Sequence, residues 1–229
     1  MAGSGITALR LAYLGWSYHG VVRQRGVPTV ESALAEALAE QGITVRLRFT
    51  SRTDRGVSAL DNVAFYRGPP PNASLLNARL PMDLAVWAVA SSERVPKPTM
   101  RVYLYAVPFK LDRVHELLET LGPDQTGAVS ARRLEVETGD NFTYIKVYGR
   151  SFGRNEVRRL VGRLIELSTG RRMGLAPPEG LILLRTVTDL EWKEVSRRKL
   201  FLMRKIIERS IWRLEAMRVL HRTLGATSL

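Results

Sequence analysis

The residues best suited to chemistry stand in one short stretch, Ser51-Arg52-Thr53-Asp54-Arg55-Gly56-Val57-Ser58-Ala59, where a lone carboxylate lies between two guanidinium groups. Neighbouring cations favour the ionised form of Asp54, which leaves it available as a nucleophile or a base. Gly56 supplies the backbone freedom to turn sharply and bring the main chain close to a ligand. The same residue types also make ordinary surface turns, with the aspartate capping local backbone and the arginines in water. Other chemistries find less to work with. The sequence has no cysteine, which excludes disulfides and thiolate metal sites, and His19, His115 and His221 are too scattered to give metal-ligand spacing. Few acidic residues stand in close pairs, so a two-metal centre is not indicated either.

The elements around this stretch can be read from periodicity. Residues 43–50 alternate Ile43, Val45, Leu47 and Phe49 with Thr44, Arg46, Arg48 and Thr50, which predicts a half-buried strand delivering the Asp54 loop. Residues 62–66 return as a second strand. Upstream, residues 7–14 predict a strand, a glycine-aromatic loop follows to Gly20, and Thr29 caps a helix bearing Val30, Ala33, Leu34, Ala37 and Leu38 that stops at Gly42. Downstream, Gly68 and three prolines make a stiff connector, Asn72 caps a short helix through Leu80, and residues 84–90 are apolar. Val95-Pro96-Lys97-Pro98 is the best junction between two halves, 1–97 and 98–190.

The second half opens on residues 100–107, which alternate so that Arg101, Tyr103, Tyr105 and Val107 share a face. A helix over 111–121, ended by Gly122-Pro123, precedes strands over 129–137 and 142–148 joined by a turn at 138–141. Val157, Leu160, Val161, Leu164, Ile165 and Ser168 mark the buried stripe of a helix ended by Gly170. Arg158 adjoins that stripe, so its side chain can emerge at the boundary between core and solvent.

Composition narrows the partner. Hydrophobic content of 45% and charged content of 25% are ordinary for a globular chain, but a net charge of +13 and a pI of about 10.7 point to a polyanion. The segment from Glu191 to Leu224 contributes ten Lys/Arg against four acids and, lacking Pro and Gly, predicts one or two long helices as a basic extension over 191–229. No apolar run is long enough to span a bilayer and residues 1–5 show no signal pattern, so a cytoplasmic location without membrane partners is expected.

The Asp54 stretch resembles the active-site signature of the TruA-type tRNA pseudouridine synthases, Gly/Ser-Arg-Thr-Asp-x-Gly-Val-x-Ala, and the chain reads as a compact, archaeal-like member. Tyr13, Gly15, Gly20, Gln24, Thr29, Val30 and Leu34 match the family's opening strand, loop and helix, while Val21 and Val22 replace the usual aromatic and glutamine. Arg101-x-Tyr103-x-Tyr105 resembles the strand whose first tyrosine stacks on the target base. Ser151-Phe152 with Val157-Arg158 resembles the family's Ser-Phe-x-x-x-x-Val-Arg, and residues 176–181 its closing Ala-Pro-x-x-Gly-Leu. Between 110 and 150 the family's longer insertion with Gly-x-His-Asp-Phe has no counterpart.

The resemblance implies an α+β pseudouridine synthase fold: two ferredoxin/RRM-like halves with antiparallel sheets meeting at a basic cleft, followed here by the helical tail. It implies a cofactor-free isomerase acting on uridine in the anticodon arm of tRNA, with no metal, and a homodimer. Asp54 is then the nucleophile, on the base or on the sugar. Tyr103 covers the flipped base and assists proton removal, and Arg158 orients Asp54 through a bidentate pair. Arg52, Arg55, Gln24 and Arg101 are the expected substrate contacts. The alternatives are a non-catalytic RNA-binding descendant of a synthase, and a synthase acting on another tRNA position or another RNA.

Overall fold

The computed structural model describes residues 5–120, 130–195 and 197–226. β1 (Ile6–Tyr13) is buried along nearly its whole length and a short 3-10 turn follows at Gly15–Ser17. α1 (Val30–Ala39) opens on Thr29, whose hydroxyl accepts from the Ser32 backbone while the Ser32 hydroxyl accepts from the Thr29 backbone. A reciprocal cap of this kind stabilises a helix start by about 1 kcal/mol. β2 is only Arg48–Phe49, shorter than the strand that alternation predicted over 43–50. The alternation survives in burial, with Leu47 buried and Thr44, Arg46 and Arg48 exposed. Yet the arm meets β3 only at its end, pairing at Arg48↔Phe65 and Phe49↔Ala64, with the Thr50 N–H donating to the Val63 carbonyl at 2.9 Å. Alternating burial requires an extended chain, not a ladder of hydrogen bonds.

β3 (Ser58–Arg67) leads to α2 (Ala73–Arg79), capped by the Asn72 side chain, then to β4 (Leu84–Ser92), β5 (Met100–Val107) and α3 (Val114–Thr120). α3 starts later than expected because Arg113, at φ +61, is outside the helical region, while the Leu111 N–H is met by the Thr143 hydroxyl. Its expected end at Leu121 and Gly122-Pro123 lies outside the described residues, as does Val129. β6 (Ala131–Gly139) and β7 (Phe142–Gly149) close through Asp140-Asn141, a tighter turn than the expected four residues, since Gly139 and Phe142 already pair. α4 (Glu156–Thr169) ends at Gly170 in the left-handed region, φ +70. A 3-10 turn at Pro178–Gly180, β8 (Leu181–Val187), β9 (Lys193–Glu194) and one long helix, α5 (Arg198–Ala226), complete the chain.

The strands make one sheet in the order β6-β7-β5-β8-β3-β1-β4-β9, with β2 added on β3. Every neighbouring pair is antiparallel except β3 and β8, which run parallel at the centre. That central seam is short, with only Ser58↔Ile182 and Ala59↔Leu183 in register. Asp61 extends it with side chain and backbone, its carboxylate accepting from the Thr186 N–H at 3.2 Å and its carbonyl from the Thr186 hydroxyl at 2.6 Å. Arg10 sits 3.3 Å from the Asp61 carboxylate and lies between the rings of Trp87 and Trp192. A charge held inside a sheet needs such a partner, because removing one member of a buried pair costs about 3–5 kcal/mol. The seam fixes the site through register. Leu183 pairs with both Ala59 and Tyr103, which places Tyr103 level with the start of β3, just beyond the Asp54 loop.

Candidate active site

The loop of residues 50–57 is held at alternate positions. Ser51 and Thr53 are buried, while Arg52 is exposed and Asp54 half-exposed. The Thr53 hydroxyl shares a 2.7 Å hydrogen bond with the Tyr13 hydroxyl, and the Asn62 amide donates to that hydroxyl at 3.0 Å and to the Ser51 carbonyl at 2.9 Å. Burial raises the Tyr13 pKa well above the ordinary tyrosine value, so this junction is neutral and depends on hydrogen bonds alone. The other side of the loop meets two glycines. A Cβ on Gly15 would lie 2.3 Å from the Val57 carbonyl carbon, and one on Gly20, at φ +95, would lie 3.0 Å from the Thr53 carbonyl oxygen. The family-like Gly-aromatic loop is thus packing surface for the Asp54 loop, and Val21, fully buried there, donates its N–H to the Thr53 carbonyl at 3.2 Å.

Across the seam, Arg101 on β5 fastens the same loop from below. Its Nε donates to the Ser51 hydroxyl at 2.9 Å, and its terminal nitrogens donate to the Thr50 and Arg150 carbonyls. Its guanidinium is committed to the protein in this way. Two residues on, Tyr103 is buried with its ring edge-on to Phe152, the centroids 5.4 Å apart at 86°. Desolvation pushes the Tyr103 pKa above the ordinary tyrosine value, with Ser51 and Arg101 opposing, so the side chain is a neutral phenol at physiological pH.

α4 supplies the guanidinium that faces Asp54. Arg158 Nη1 lies 3.4 Å from Asp54 Oδ2 and 3.5 Å from Asn155 Oδ1, while its Nε donates to the Ala176 carbonyl at 2.7 Å. The contact is single rather than the expected bidentate pair, since Nη1 alone reaches Asp54 and shares its reach with Asn155 while Nε is held by Ala176. With the Asp54 side chain 44% exposed, a pair of this kind contributes about 0–1 kcal/mol to stability, so its consequence is orientation. Arg158 is itself fixed through the Ala-Pro-x-x-Gly element. Ala176 both accepts from the side chain and donates its N–H to the Arg158 carbonyl, and the Tyr105 hydroxyl donates to the Pro177 carbonyl at 2.7 Å.

Together these elements line a cleft of about 560 Å³, a size suited to a small organic group. Asp54, Tyr103, Arg158, Arg52 and Arg101 all line it; Arg55 and Gln24 do not, and the Gln24 amide donates instead to the His19 carbonyl at 2.7 Å. Three supporting features had no role assigned from the sequence, although Phe152 belongs to the Ser-Phe motif. Phe152 forms a wall against Tyr103. Glu156, buried, accepts from the Ser130 and Gly153 N–H groups and pins the 151–155 loop. The Tyr13-Thr53-Asn62 network joins three segments distant in sequence, and no local spacing announces it. Among the described residues, no group of His, Asp and Glu is arranged to hold a metal ion, and no helix is long and apolar enough to cross a membrane.

No family model matches the chain. Curated relatives do. It is 34% identical to tRNA pseudouridine synthase A of Methanothermobacter thermautotrophicus, over 77% of this chain and 79% of that one. It is 31% identical to the protein of the same name from Methanothrix thermoacetophila, over 82% and 85%, and 30% identical to that of Pyrococcus furiosus, over 77% and 81%. A solved chain of an unknown protein from Galdieria sulphuraria covers 84% of this one at 14% identity, but its TM-score of 0.21 bears on nothing here. The chain belongs to the tRNA pseudouridine synthase A, or TruA-type, family.

Proposed function

We propose that this protein isomerises uridine to pseudouridine in the anticodon arm of tRNA, without a cofactor. The reading is carried by one observation: a family member whose half-exposed Asp54 carboxylate faces Arg158 and opens into the cleft that Tyr103 closes from below. Asp54 is the nucleophile, on the base or on the sugar, and Arg158 sets its direction. The bond from ribose C1′ to N1 breaks, a bond from C1′ to C5 forms, the C5 proton leaves to solvent and N1 takes one up, so atoms balance with no redox partner. A uridine reaches Asp54 only outside its stack, which costs a few kcal/mol of unstacking that phosphate contacts elsewhere must offset. Tyr103 offers the extruded base an aromatic surface, and exposed Arg52 stands at the cleft to contact RNA or fill the space the base vacates.

The test is release of tritium from unmodified tRNA labelled at uridine C5, followed by mapping of pseudouridine in the product. Release with pseudouridine in the anticodon arm is expected. Tight tRNA binding with no release would instead favour a non-catalytic RNA-binding descendant, and pseudouridine elsewhere would reassign the position.

A further inference from the structure

α5 falls into two parts. Its first turns are docked: Met203 is buried against Ala12, Leu14 and Ala85, with Leu200, Ile206 and Trp87 alongside, and Lys199 donates to the Asn77 and Leu80 carbonyls. The docking sequence gives the helix a direction. β9 pairs beside Ala88 opposite Arg10, and Met203 then reaches Ala12 and Leu14, so α5 travels along β1 towards its C-terminal end. Leu14 is followed by Gly15, the residue packed on Val57 of the Asp54 loop. α5 therefore leaves the body at the catalytic end of the sheet.

Beyond Ser210 the helix stands in solvent. Every residue from 211 to 220 is exposed, a stretch of about 15 Å of helix at about 1.5 Å per residue. The whole helix carries eight Lys/Arg against two Glu. Spacings of four, three and four put Lys205, Arg209, Trp212 and Arg213 on the side away from Met203. Trp212 is 81% exposed, and among the described residues neither Arg209 nor Arg213 makes an ion pair.

Resting on the function proposed above, we propose that the free part of α5 is an RNA-binding arm, in which Arg209 and Arg213 hold phosphates of the tRNA and Trp212 stacks on a base or ribose beside them. Unpaired cations flanking an exposed indole suit a polyanion that also presents flat apolar faces. Ile207, Ile211, Leu214 and Met217 continue the docked stripe into solvent, and a second copy is the rival occupant for that stripe. Electrostatics disfavour it, because pairing two such helices would bring together two excesses of six positive charges.

The experiment uses the full chain with Arg209→Glu/Arg213→Glu and, separately, Trp212→Ala, checked by circular dichroism and gel filtration. The probe is a tRNA transcript, with affinity read across a salt series. The double reversal is expected to weaken binding at least tenfold, to flatten the slope of log affinity against log salt by about two, and to raise KM while kcat holds. Trp212→Ala is expected to weaken binding severalfold with the slope unchanged. Unaltered affinity in folded variants overturns the arm, as does a dimer that these variants dissociate without loss of RNA binding. Binding is read independently of turnover, so an inactive wild type with arm-dependent affinity would defeat the proposed function and leave the arm standing.

Discussion

The Asp54 loop and the free end of α5 are both rich in arginine, yet they are built in opposite ways. At the loop, each important side chain has neighbours that fix it: Arg158 is tied to Ala176 and faces Asp54, and Arg101 is tied to Ser51, Thr50 and Arg150. On the arm, Arg209, Trp212 and Arg213 are presented to solvent by a helix whose residues 211–220 are all exposed. Rigid placement suits a group that must meet one bond in one geometry. Loose presentation suits groups that only need to meet phosphate. Mutations should divide along this line, with turnover lost at the loop and affinity lost on the arm.

The largest effect of this set is expected from Arg158→Lys. An ammonium cannot both bond the Ala176 carbonyl and face Asp54, so kcat should fall by about a hundredfold or more, near 3 kcal/mol in the barrier, with tRNA affinity changed little. An equal loss of affinity would move Arg158 into substrate binding. Tyr103→Leu comes next: losing the ring should cost about 1–3 kcal/mol of stacking on the base, read in kcat/KM, whereas Tyr103→Phe keeps the surface and should retain much more activity. Gly15→Ala drives a Cβ into the Val57 carbonyl and should lower unfolding stability by about 1–3 kcal/mol while reducing turnover through the displaced loop. Chemical denaturation and single-turnover rates on the same sample would separate the two effects. At the other extreme, Trp212→Ala should leave unfolding stability within about 0.5 kcal/mol, because no contact is lost.

The raised pKa of Tyr103 adds a test of the loop's electrostatics. A phenol whose folded pKa exceeds the ordinary value of about 10 stays protonated as pH rises through neutrality. Hence kcat/KM should show no loss with a tyrosine-like pKa between about pH 7 and about pH 9, and such a limb, absent from Tyr103→Phe, would contradict the neutral phenol.

Much of the site was legible because its residues sit in contiguous motifs: Arg52 and Asp54 on a loop, Arg101 and Tyr103 two apart on a strand, Arg158 beside an apolar stripe. What joins them was not, since it depends on register across the sheet. Leu183 placing Tyr103 level with Ala59 is fixed by the β3/β8 seam, and the Tyr13-Thr53-Asn62 contacts arise only once three strands pair. The single rather than bidentate contact of Arg158, and the backbone carbonyl of Ala176 that holds its Nε, depend on how α4 meets residues 176–181, which no residue type encodes. Residues 43–50 misled for a related reason, as period-two burial reports an extended chain and is silent on whether a neighbour pairs with it. For α5 the sequence showed charge and helicity, while the passage from a docked first half to exposed residues 211–220 shows only in the fold.

The central claim is that one carboxylate performs the chemistry and the rest of the cleft aims it. Asp54→Asn keeps size and hydrogen-bonding capacity while removing the charge, so the variant should fold, bind tRNA within about twofold of the parent and release no tritium from C5-labelled uridine above background. Release at the parental rate by that variant would contradict the account.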